Sequence, residues 1–486
     1  MYKTTIGLEI HAELKTKTKM FCDSLNDPDE KHPNINICPV CMGHPGALPV
    51  INREAINKML LIGLALNCKI SQDTFFERKN YFYPDLPKGY QISQFQKPLC
   101  ENGWLEIATS DQRPATSKKK IRVERIHLEE DAGRLQHPPD GKYSLVDYNR
   151  AGVPLMELVT NPDIETGSEI KSFVEELQLI LRYLGASDAD MEKGQMRVEV
   201  NISVSKTDKL GTKVEVKNIN SIKAAAAAAD YETKRQIELL EAGEKIVQET
   251  RGWDDKKLIT ISQRTKEGSS DYRYFPEPDL PPLKFNEPDI EEIKSKLPEL
   301  PQQRRERFTK EYGLPDSDIA LFITNKKLGN YFEKIASELI SIEHKEKLFK
   351  LASNYLITEL QKLLSDVSAE IDDIKITPEM FADFVVRVSR GEVSSSGAQT
   401  LLKEMFASGN SPDYIIRQKD LAQVSDLDTL KLAAENVIME NSKVAEDYKK
   451  GKKGALKFLI GRIMAATKGK ANPQIVAELI EKILND

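Results

Sequence analysis

The sequence is poor in cysteine and has no long apolar segment. Five cysteines occur among 486 residues, and the longest apolar stretch, 59–66, is interrupted by Gly63. An odd number of cysteines without a secretory signal argues against a disulfide framework and favours a reducing compartment. A stretch of this length is too short to span a membrane. We therefore expect a cytoplasmic protein without a membrane partner, and we exclude a secreted, disulfide-rich fold.

An excess of positive charge is also missing. Lysine and arginine number 70 against 76 aspartates and glutamates, for a formal net charge of −6. Any RNA contact must therefore be local rather than spread over the whole surface. The sequence contains no Walker A motif, no G-x-G-x-x-G, no G-x-S-x-G and no H-E-x-x-H. The length predicts two or three domains.

Strands with one polar face are the most informative feature that is present. Residues 5–14 alternate polar with apolar, so Glu9 and His11 share one face of a strand. The same alternation recurs at 197–203 and 213–217. Carboxylates, a histidine and basic groups together suit a concave site for a metal ion and anions. An ordinary solvated sheet face is the alternative that periodicity leaves open.

The rest of the chain divides by its secondary-structure signals. Amphipathic helices are predicted at 53–67, 165–184 and 221–242, and the proline-rich segment 275–283 reads as an ordered boundary. Beyond residue 287 the strand signal nearly vanishes and helices follow. The sequence therefore predicts an α+β protein. Its parts are a mixed-sheet N-terminal domain (1–290), an all-α helical domain (291–405) and a small α-helical tail domain (406–486).

The tail carries a local concentration of positive charge. Residues 443–470 hold nine basic residues against two acidic ones, with glycines interspersed. Such a patch can contact a phosphate backbone, and glycine allows a close approach. A solvated lysine-rich face is the alternative. The lysines that we assign to RNA binding are Lys449, Lys450, Lys452, Lys453 and Lys457.

A C-x-x-C motif, Cys38 to Cys41, follows a single Cys22. This spacing is typical of one half of a zinc ribbon, but structural zinc needs four ligands. Simply buried thiols are the alternative, and no base is indicated for a catalytic cysteine. The residues available to complete a zinc shell are Asp23, Ser24, His32 and His44.

Two segments place carboxylates where a metal could bind. Residues 125–133 put three carboxylates in succession after a strand and before a glycine, which is a common way to hold Mg²⁺. Glu157 stands alone in the apolar strand 154–159. A buried glutamate is costly unless it is paired or metal-bound. Glu157 is therefore a metal ligand or the partner of a basic neighbour such as Arg150.

Two loops mix aromatic and cationic residues, at 79–94 and 268–274. Such loops suit base stacking and phosphate contact, although each alone could be ordinary surface.

Taken together, these motifs resemble a known family, the B subunits of the tRNA-dependent amidotransferases. These proteins act on misacylated Glu-tRNA(Gln) and Asp-tRNA(Asn). No large extra domain of the kind in the archaeal E subunit is present. The matching stretches are 6–11, 45–49, 78–85, 90–94, 127–133, 147–155, 215–221 and 268–279.

The resemblance implies an N-terminal cradle domain related to the glutamine synthetase and guanido kinase fold. It implies that ATP phosphorylates the side-chain carboxylate of the misattached amino acid, and that ammonia then displaces phosphate. A partner amidase, the A subunit, would release this ammonia from glutamine, and a small C subunit would brace the other two. The Gly-Gly-Ser-Ser amidase signature is absent from this sequence, which agrees with a glutaminase in another polypeptide.

Site residues also follow from the resemblance. It implies a magnesium site at His11, Glu130 and Glu157, with Glu9 beside it as a further catalytic residue. Many family members have C-x-C before C-x-x-C for zinc, whereas this chain has Ser24 in place of one cysteine. Two other functions remain open, a non-catalytic tRNA-binding scaffold and a free-standing small-molecule kinase. The residues expected at the ATP phosphates or the tRNA terminus are Lys79, Tyr81, Lys88 and Arg150.

Overall fold

Alternation of polar and apolar residues builds the central sheet, as predicted. The computed structural model describes residues 2–109, 118–138, 141–265, 272–423, 427–449, 451–467 and 470–485. In the first strand Ile6, Leu8, Ile10 and Ala12 are buried. The protein is α+β, which confirms the predicted class. The chain forms two compact units, Met1–Gln303 and Arg304–Asp486.

The strands that the structure describes all lie in the first unit. Those of the described residues are β1 (Lys3–Glu13), β2 (Lys69–Ile70), β3 (Asp73–Thr74), β4 (Glu77–Asn80), β5 (Tyr90–Ser93), β6 (Cys100–Ala108), β7 (Lys118–Glu130), β8 (Arg134–Gln136), β9 (Leu145–Asp147), β10 (Pro154–Thr160), β11 (Met196–Ser205), β12 (Val214–Lys217), β13 (Glu249–Asp254), β14 (Ile259–Thr265), β15 (Phe275–Pro276) and β16 (Leu283–Lys284).

The helices occur in both units. Those of the described residues are α1 (Arg53–Ala65), α2 (Gly167–Tyr183), α3 (Ile222–Glu241), α4 (Glu287–Lys294), α5 (Pro301–Tyr312), α6 (Asp316–Thr324), α7 (Lys326–Leu339), α8 (Lys345–Tyr355), α9 (Gln361–Asp366), α10 (Pro378–Ser389), α11 (Ser395–Ser408), α12 (Pro412–Lys419), α13 (Leu427–Glu440), α14 (Ser442–Lys449), α15 (Lys453–Ala466) and α16 (Pro473–Asn485). A π-helical turn, Leu356–Leu360, joins α8 to α9, and a 3-10 turn lies at Ile371–Asp373.

A nine-stranded mixed sheet carries the first unit. Its strand order is β14-β13-β12-β11-β1-β10-β7-β6-β2. The pairings are antiparallel except that of β12 with β13, which is parallel. The apolar face of this sheet and helices α1, α2 and α3 share one hydrophobic core. The other face therefore keeps the polar side chains of the central strands.

The three predicted helices of this unit are confirmed, and their first turns show why they begin there. Ser221 has an extended backbone and its side chain accepts from the N–H of Ala224, which caps α3. Thr166 caps α2 in the same way through the N–H of Glu169. These side chains satisfy N–H groups that the helix itself leaves unpaired.

The proline-rich segment 275–283 is not a boundary between units, because it belongs to the first unit. Its strand β15 pairs with β4, and β16 pairs with β3. Glu277 is fully buried and accepts from Arg78, with Nε to Oε2 at 2.6 Å and Nη2 to Oε1 at 2.7 Å. This ion pair and the short strands hold the segment on the sheet unit, and the unit extends to Gln303.

The described part of the second unit is helical throughout, as predicted. The expected division at 405/406 falls inside α11. The tail helices α13 to α16 share their own hydrophobic cluster, which includes Leu430, Leu459 and Ile480. The three-domain division therefore stays a prediction. In the described residues, no helix is both long and apolar enough to cross a membrane.

Candidate metal and nucleotide site

Strand register aligns four polar residues in one row across the polar face of the sheet. His127 on β7 lies opposite Glu157 on β10, and Glu157 lies opposite His11 on β1. His11 in turn lies opposite Arg197 on β11. Directly opposed residues point to the same face of a sheet. Segments far apart in sequence thus place their imidazole and carboxylate groups side by side.

Two residues of this row, His11 and Glu157, converge with Glu129 closely enough for the three side chains to share one ion. His11 Nε2 lies 3.3 Å from Glu157 Oε2 and 3.7 Å from Glu129 Oε1. One ligand atom from each residue lies within 4.8 Å of the others. His127 Nε2 approaches the same carboxylates, at 3.5 Å from Glu157 and 3.8 Å from Glu129. We call His11, Glu129 and Glu157 the carboxylate–histidine cluster.

A second group of ligand atoms adjoins this cluster. Glu9, His11 and Glu199 also bring one ligand atom each within 4.8 Å of the others. Glu9 Oε1 lies 4.0 Å from His11 Nε2. Lys217 Nζ lies 2.8 Å from Glu199 Oε2, so a cation of the protein already neutralises this carboxylate. The predicted neighbourhood of Glu9 and His11 is therefore present in the structure.

The electrostatics of the cluster balance two carboxylates against the protonated imidazole of His11. Burial lowers the pKa of His11, but the hydrogen bond to Glu157 and the charges of Glu129 and Glu157 outweigh it and raise the pKa to about 9. Burial raises the pKa of Glu157, but the effects of His127 and His11 lower it by more. The net pKa of Glu157 therefore falls below its usual range. Without a metal ion, His11 is therefore protonated at neutral pH and both carboxylates are ionised.

The cluster fits a hard divalent cation. Mg²⁺ is usually held by one or two carboxylates and retained waters, and Glu129 and Glu157 provide the carboxylates. Imidazole is a better ligand for zinc or copper than for magnesium, so His11 is the least typical member. Burial raises the pKa of Glu9, and the negative charges of Glu157 and Glu199 raise it further. Several carboxylates therefore repel one another on this face. A bound cation would relieve that repulsion.

Glu130 does not join the cluster, in contrast to the expected set of His11, Glu130 and Glu157. It points to the opposite face from Glu129, because successive strand residues alternate. Its Oε2 accepts from Lys88 Nζ at 2.8 Å and its Oε1 accepts from the N–H of Ile92 at 2.9 Å. Glu129 takes the place that we expected for Glu130. Counting residues from His127 along β7 would have selected Glu129.

Lys79 and Tyr81 lie close to the cluster. Lys79 Nζ is 5.2 Å from the centre of the Tyr272 ring and 5.9 Å from that of Tyr81. Burial lowers the pKa of Lys79, but the charges of Glu129 and Glu157 raise it above its usual value. Its ammonium group is therefore within electrostatic range of the two carboxylates, where it could meet a phosphate.

Arg150 and Lys88, both expected at phosphates, have structural partners instead. Arg150 donates from Nε to the carbonyl oxygen of Ala132 at 3.0 Å and from Nη2 to that of Gly133 at 2.9 Å. It thereby holds the turn that follows β7. Lys88 is paired with Glu130. The pairing of Arg150 with Glu157, one of the alternatives for Glu157, is not present in the structure.

Besides Glu129, sequence reasoning did not select two further members of this polar face, Asp131 and His127. Asp131 is buried and binds Arg197, with Nη2 3.0 Å from Oδ2. His127 was inside a matched motif but was not selected as a site residue. Both lie on or beside strands whose alternation was visible, yet their partners belong to other strands.

Comparisons with known proteins match most of the chain. The family model for the GatB/GatE catalytic domain matches residues 4–291, and that for the GatB domain matches residues 330–484. The chain belongs to the GatB family. The residues of the carboxylate–histidine cluster all lie in the match to the catalytic domain.

Curated relatives of the GatB family match from end to end. The chain is 48% identical over 487 residues to the B subunit of aspartyl/glutamyl-tRNA(Asn/Gln) amidotransferase from Caldanaerobacter subterraneus subsp. tengcongensis, covering 100% of this chain and 99% of the relative. It is 46% identical over 489 residues to the protein of the same name from Thermotoga maritima, covering 99% of each. The same-named protein of Caldicellulosiruptor bescii is 46% identical over 488 residues, again covering 99% of each.

The three cysteines near the N-terminus of this GatB-family chain converge, but they do not complete a zinc site. The sulfurs of Cys22, Cys38 and Cys41 lie within 4.8 Å of one another, and no imidazole or carboxylate of the described residues joins this group. His32 is exposed and its ring contacts Glu30 instead. Structural zinc requires four ligands, so three sulfurs do not fit it.

The basic segment lies within the match to the GatB domain. Lys449 ends α14, Lys457 is exposed on α15, and Lys452 Nζ contacts Asp447 Oδ1 at 2.9 Å. Lys450 and the side chain of Lys453 lie outside the described residues. Lys449, Lys452 and Lys457 thus lie at or near the turn between α14 and α15. Their role in RNA binding stays a prediction.

Proposed function

We propose that this chain is the component of a tRNA-dependent amidotransferase that activates the substrate. It would use ATP to phosphorylate the side-chain carboxylate of misacylated Glu-tRNA(Gln), Asp-tRNA(Asn) or both, yielding Gln-tRNA(Gln) or Asn-tRNA(Asn) after amidation. The full-length similarity to curated B subunits supports the substrate class. The carboxylate–histidine cluster inside the matched catalytic domain supports chemistry in this chain, and it is the observation that carries the proposal.

The reaction needs activation because a carboxylate is a poor electrophile. A carboxylate oxygen of the aminoacyl side chain attacks the γ-phosphorus of ATP, and the bond to ADP breaks. The product is an acyl phosphate. Ammonia then attacks its carbonyl carbon, phosphate leaves, and the nitrogen loses a proton to give the amide. Phosphoryl transfer depends mainly on positioning and on neutralising charge around the phosphates.

The described residues can meet these needs. Glu129, Glu157 and His11 would hold Mg²⁺, and the bound ion would supply positive charge against the phosphoryl oxygens. Lys79, whose ammonium lies within electrostatic range of both carboxylates, would bind a phosphate of ATP from the protein side. Tyr81, edge-on to Tyr272 at 6.0 Å, would border the same space.

The remaining parts of the proposal concern partners and fold. Ammonia would come from a separate amidase, the A subunit, with a small C subunit bracing the other two, because this chain lacks the amidase signature. The basic tail would bind the tRNA. The nine-stranded sheet with one polar face is the feature that supports kinship with the glutamine synthetase and guanido kinase fold.

A non-catalytic scaffold is the competing function, because the basic tail would serve it equally well. A scaffold has no use for two ionised carboxylates held in a nearly closed site, where burying charge is costly. A free-standing small-molecule kinase would use the cluster but leaves the basic tail without a role.

Release of ADP tests the proposal. The chain is purified together with its amidase and small partner subunits and supplied with Mg²⁺, ATP and misacylated tRNA, with and without glutamine. We expect ADP release that requires the charged tRNA and is lost in Glu157→Ala. Release that survives this substitution would move the chemistry to another polypeptide and leave a scaffold. Release without tRNA would indicate a small-molecule kinase.

A further inference from the structure

Cys41 has the most unusual surroundings of the five cysteines. Its sulfur accepts the backbone N–H of Cys38 at 3.1 Å and lies 3.8 Å from Lys19 Nζ and 3.9 Å from Ser24 Oγ. The side chain is buried, with 3% of its surface exposed. The backbone N–H and the ammonium group both donate to this buried sulfur, which favours the thiolate over the thiol.

Lys19 supplies the positive charge of this arrangement. Its side chain is fully buried, and its Nζ donates to the carbonyl oxygen of Tyr148 at 3.2 Å. A buried ammonium group is costly unless an opposite charge compensates it. The sulfur of Cys41 is its anionic partner, because burial lowers the pKa of Lys19 and the charge of Cys41 opposes that shift most strongly.

Two further thiols stand within reach of Cys41. Cys38 Sγ lies 3.8 Å from Cys41 Sγ, and Cys22 belongs to the same group of sulfurs. The hydrogen bond from Cys22, against the effect of burial and together with the charge of Lys19, holds the pKa of Cys41 well below its usual range. A thiolate next to a second thiol is the arrangement of a redox-active pair.

A small molecule can reach this sulfur. A cavity of about 220 Å³ is lined by Cys41 and Cys22. Lys88, Glu130 and His44 form other parts of its wall. The volume is several times the roughly 30 Å³ share of one water molecule in the liquid.

We propose that this cluster is a metal-free oxidation site, in which Cys41 reacts with a small peroxide and closes a disulfide with Cys38. In a four-cysteine metal site the metal ion is the positive charge that stabilises the thiolates. Here the buried ammonium group of Lys19 supplies that charge to Cys41. Ser24, where a fourth thiol would complete a metal shell, leaves the site without its fourth strong ligand.

The reaction balances with hydrogen peroxide as the oxidant. The Cys41 thiolate attacks one peroxide oxygen, the S–O bond forms, the O–O bond breaks, and hydroxide leaves and takes a proton from solvent. The Cys38 thiol then attacks the Cys41 sulfur, the S–S bond forms, and the hydroxyl departs with the thiol proton as water. Two thiols are oxidised by two electrons, and one peroxide is reduced to two waters.

The chain contains its own controls. Cys68 and Cys100 are also buried, but no cation lies beside either sulfur among their described contacts. Burial raises the pKa of Cys68 to about 12 and that of Cys100 well above its usual value. Both should therefore stay reduced under conditions that oxidise Cys41.

Metal content is the first test. The full-length chain is purified without chelators, and zinc is measured per chain in wild type and in Ser24→Cys. We expect no stoichiometric zinc in wild type and about one zinc per chain in the variant, whose four thiolates complete a tetrahedral set. One zinc per chain in wild type would overturn the proposal.

Peroxide reactivity is the second test. Wild type is treated with hydrogen peroxide, and peptide mass mapping locates the disulfide. We expect Cys38–Cys41 in wild type, a dimedone-trapped sulfenic acid on Cys41 in Cys38→Ser, and unmodified Cys68 and Cys100. Oxidation of Cys68 or Cys100 at the same rate as Cys41, or a wild-type disulfide that excludes Cys41, would refute the assignment.

The role of Lys19 is tested by rate. We expect Lys19→Met to raise the pKa of the Cys41 thiol above neutral pH and so to slow the reaction there by roughly tenfold or more, because a thiol whose pKa lies one unit above the ambient pH is only about one-tenth ionised. Lys19→Arg, which keeps the charge, should retain most of the rate. Should Lys19→Met not fold, the pH profile of wild-type alkylation decides. A rate at Cys41 that is already flat at neutral pH supports the proposal, and one that rises only near the pKa of an ordinary thiol contradicts it.

Discussion

Glu129→Gln and Glu130→Gln form a matched pair that distinguishes the two faces of β7. The residues are neighbours, both are glutamates and both are buried. Glu129 belongs to the carboxylate–histidine cluster, whereas Glu130 is paired with Lys88 on the opposite face. We expect Glu129→Gln to abolish metal-dependent ADP release and Glu130→Gln to spare metal binding.

The size of each effect follows from the contacts. Unit charges about 4 Å apart interact by about 4 kcal/mol at an effective dielectric constant near 20. Glu129 Oε1 already lies 3.7 Å from the positive group of His11, and a bound cation would lie at least as close. Because a glutamine oxygen still coordinates weakly, we expect roughly a hundredfold loss of Mg²⁺ affinity, or about 2.7 kcal/mol.

Glu130→Gln should instead affect stability. It leaves the ammonium of Lys88 buried without its partner, which costs roughly 3–5 kcal/mol in comparable interiors. The double variant Glu130→Gln/Lys88→Met removes that unpaired charge and should recover much of the stability. It is therefore the control for any loss of activity that follows from unfolding.

Isothermal titration with Mg²⁺ and urea unfolding measure the two effects separately. Each variant is compared with wild type in the assembled enzyme for ADP release and as the purified chain for metal binding and unfolding. Loss of metal binding in the folded Glu130 double variant, together with normal binding in Glu129→Gln, would refute the assignment of Glu129 to the site.

Three further predictions concern other groups. Because Mg²⁺ requires a neutral His11 whose pKa is about 9, affinity should rise about tenfold per pH unit towards that value. The metal-free protein should lose stability as the pH rises through it. Titrations in buffers of different ionisation enthalpy should show proton release, and its absence would contradict the pKa. Arg78→Met should destabilise the first unit by roughly 3–5 kcal/mol, because Glu277 stays buried without a partner. The exposed Arg122→Met should change urea unfolding little, and equal effects would refute the argument. Replacing Lys449, Lys452 and Lys457 by alanine should reduce the slope of log affinity for tRNA against log salt concentration by roughly 0.7 to 0.9 per lost phosphate contact. An unchanged slope would show that these lysines do not contact the tRNA phosphates.

Local patterns predicted the parts of the fold that depend on neighbours in sequence. Alternation in residues 5–14 correctly assigned the buried and polar faces of β1, because strand side chains alternate regardless of what lies beside them. Ser221 marked the start of α3 because its hydroxyl caps N–H groups only three residues away. The family resemblance added the substrate class, since it depends on residue identities rather than on geometry.

The selection of Glu130 shows the limit of a local reading. Glu129 and Glu130 are indistinguishable by composition, and alternation alone says only that they face opposite sides. Which side carries the carboxylate–histidine cluster depends on His11, more than a hundred residues earlier. Lys88 could likewise be assigned to a phosphate from its loop sequence, because its partner Glu130 reaches it only through the fold.

By itself the sequence determined the α+β class, the polar faces of the central strands, the helix starts and the family. Tertiary structure alone decided which polar groups meet. The order β11-β1-β10-β7 brings His11 beside Glu157 and Glu129, and the loops bring Lys19 beside Cys41. The physical reason is that secondary structure follows from short-range backbone sterics and hydrogen bonding. A binding site depends on strand register and chain packing, which bring together residues that no local pattern connects.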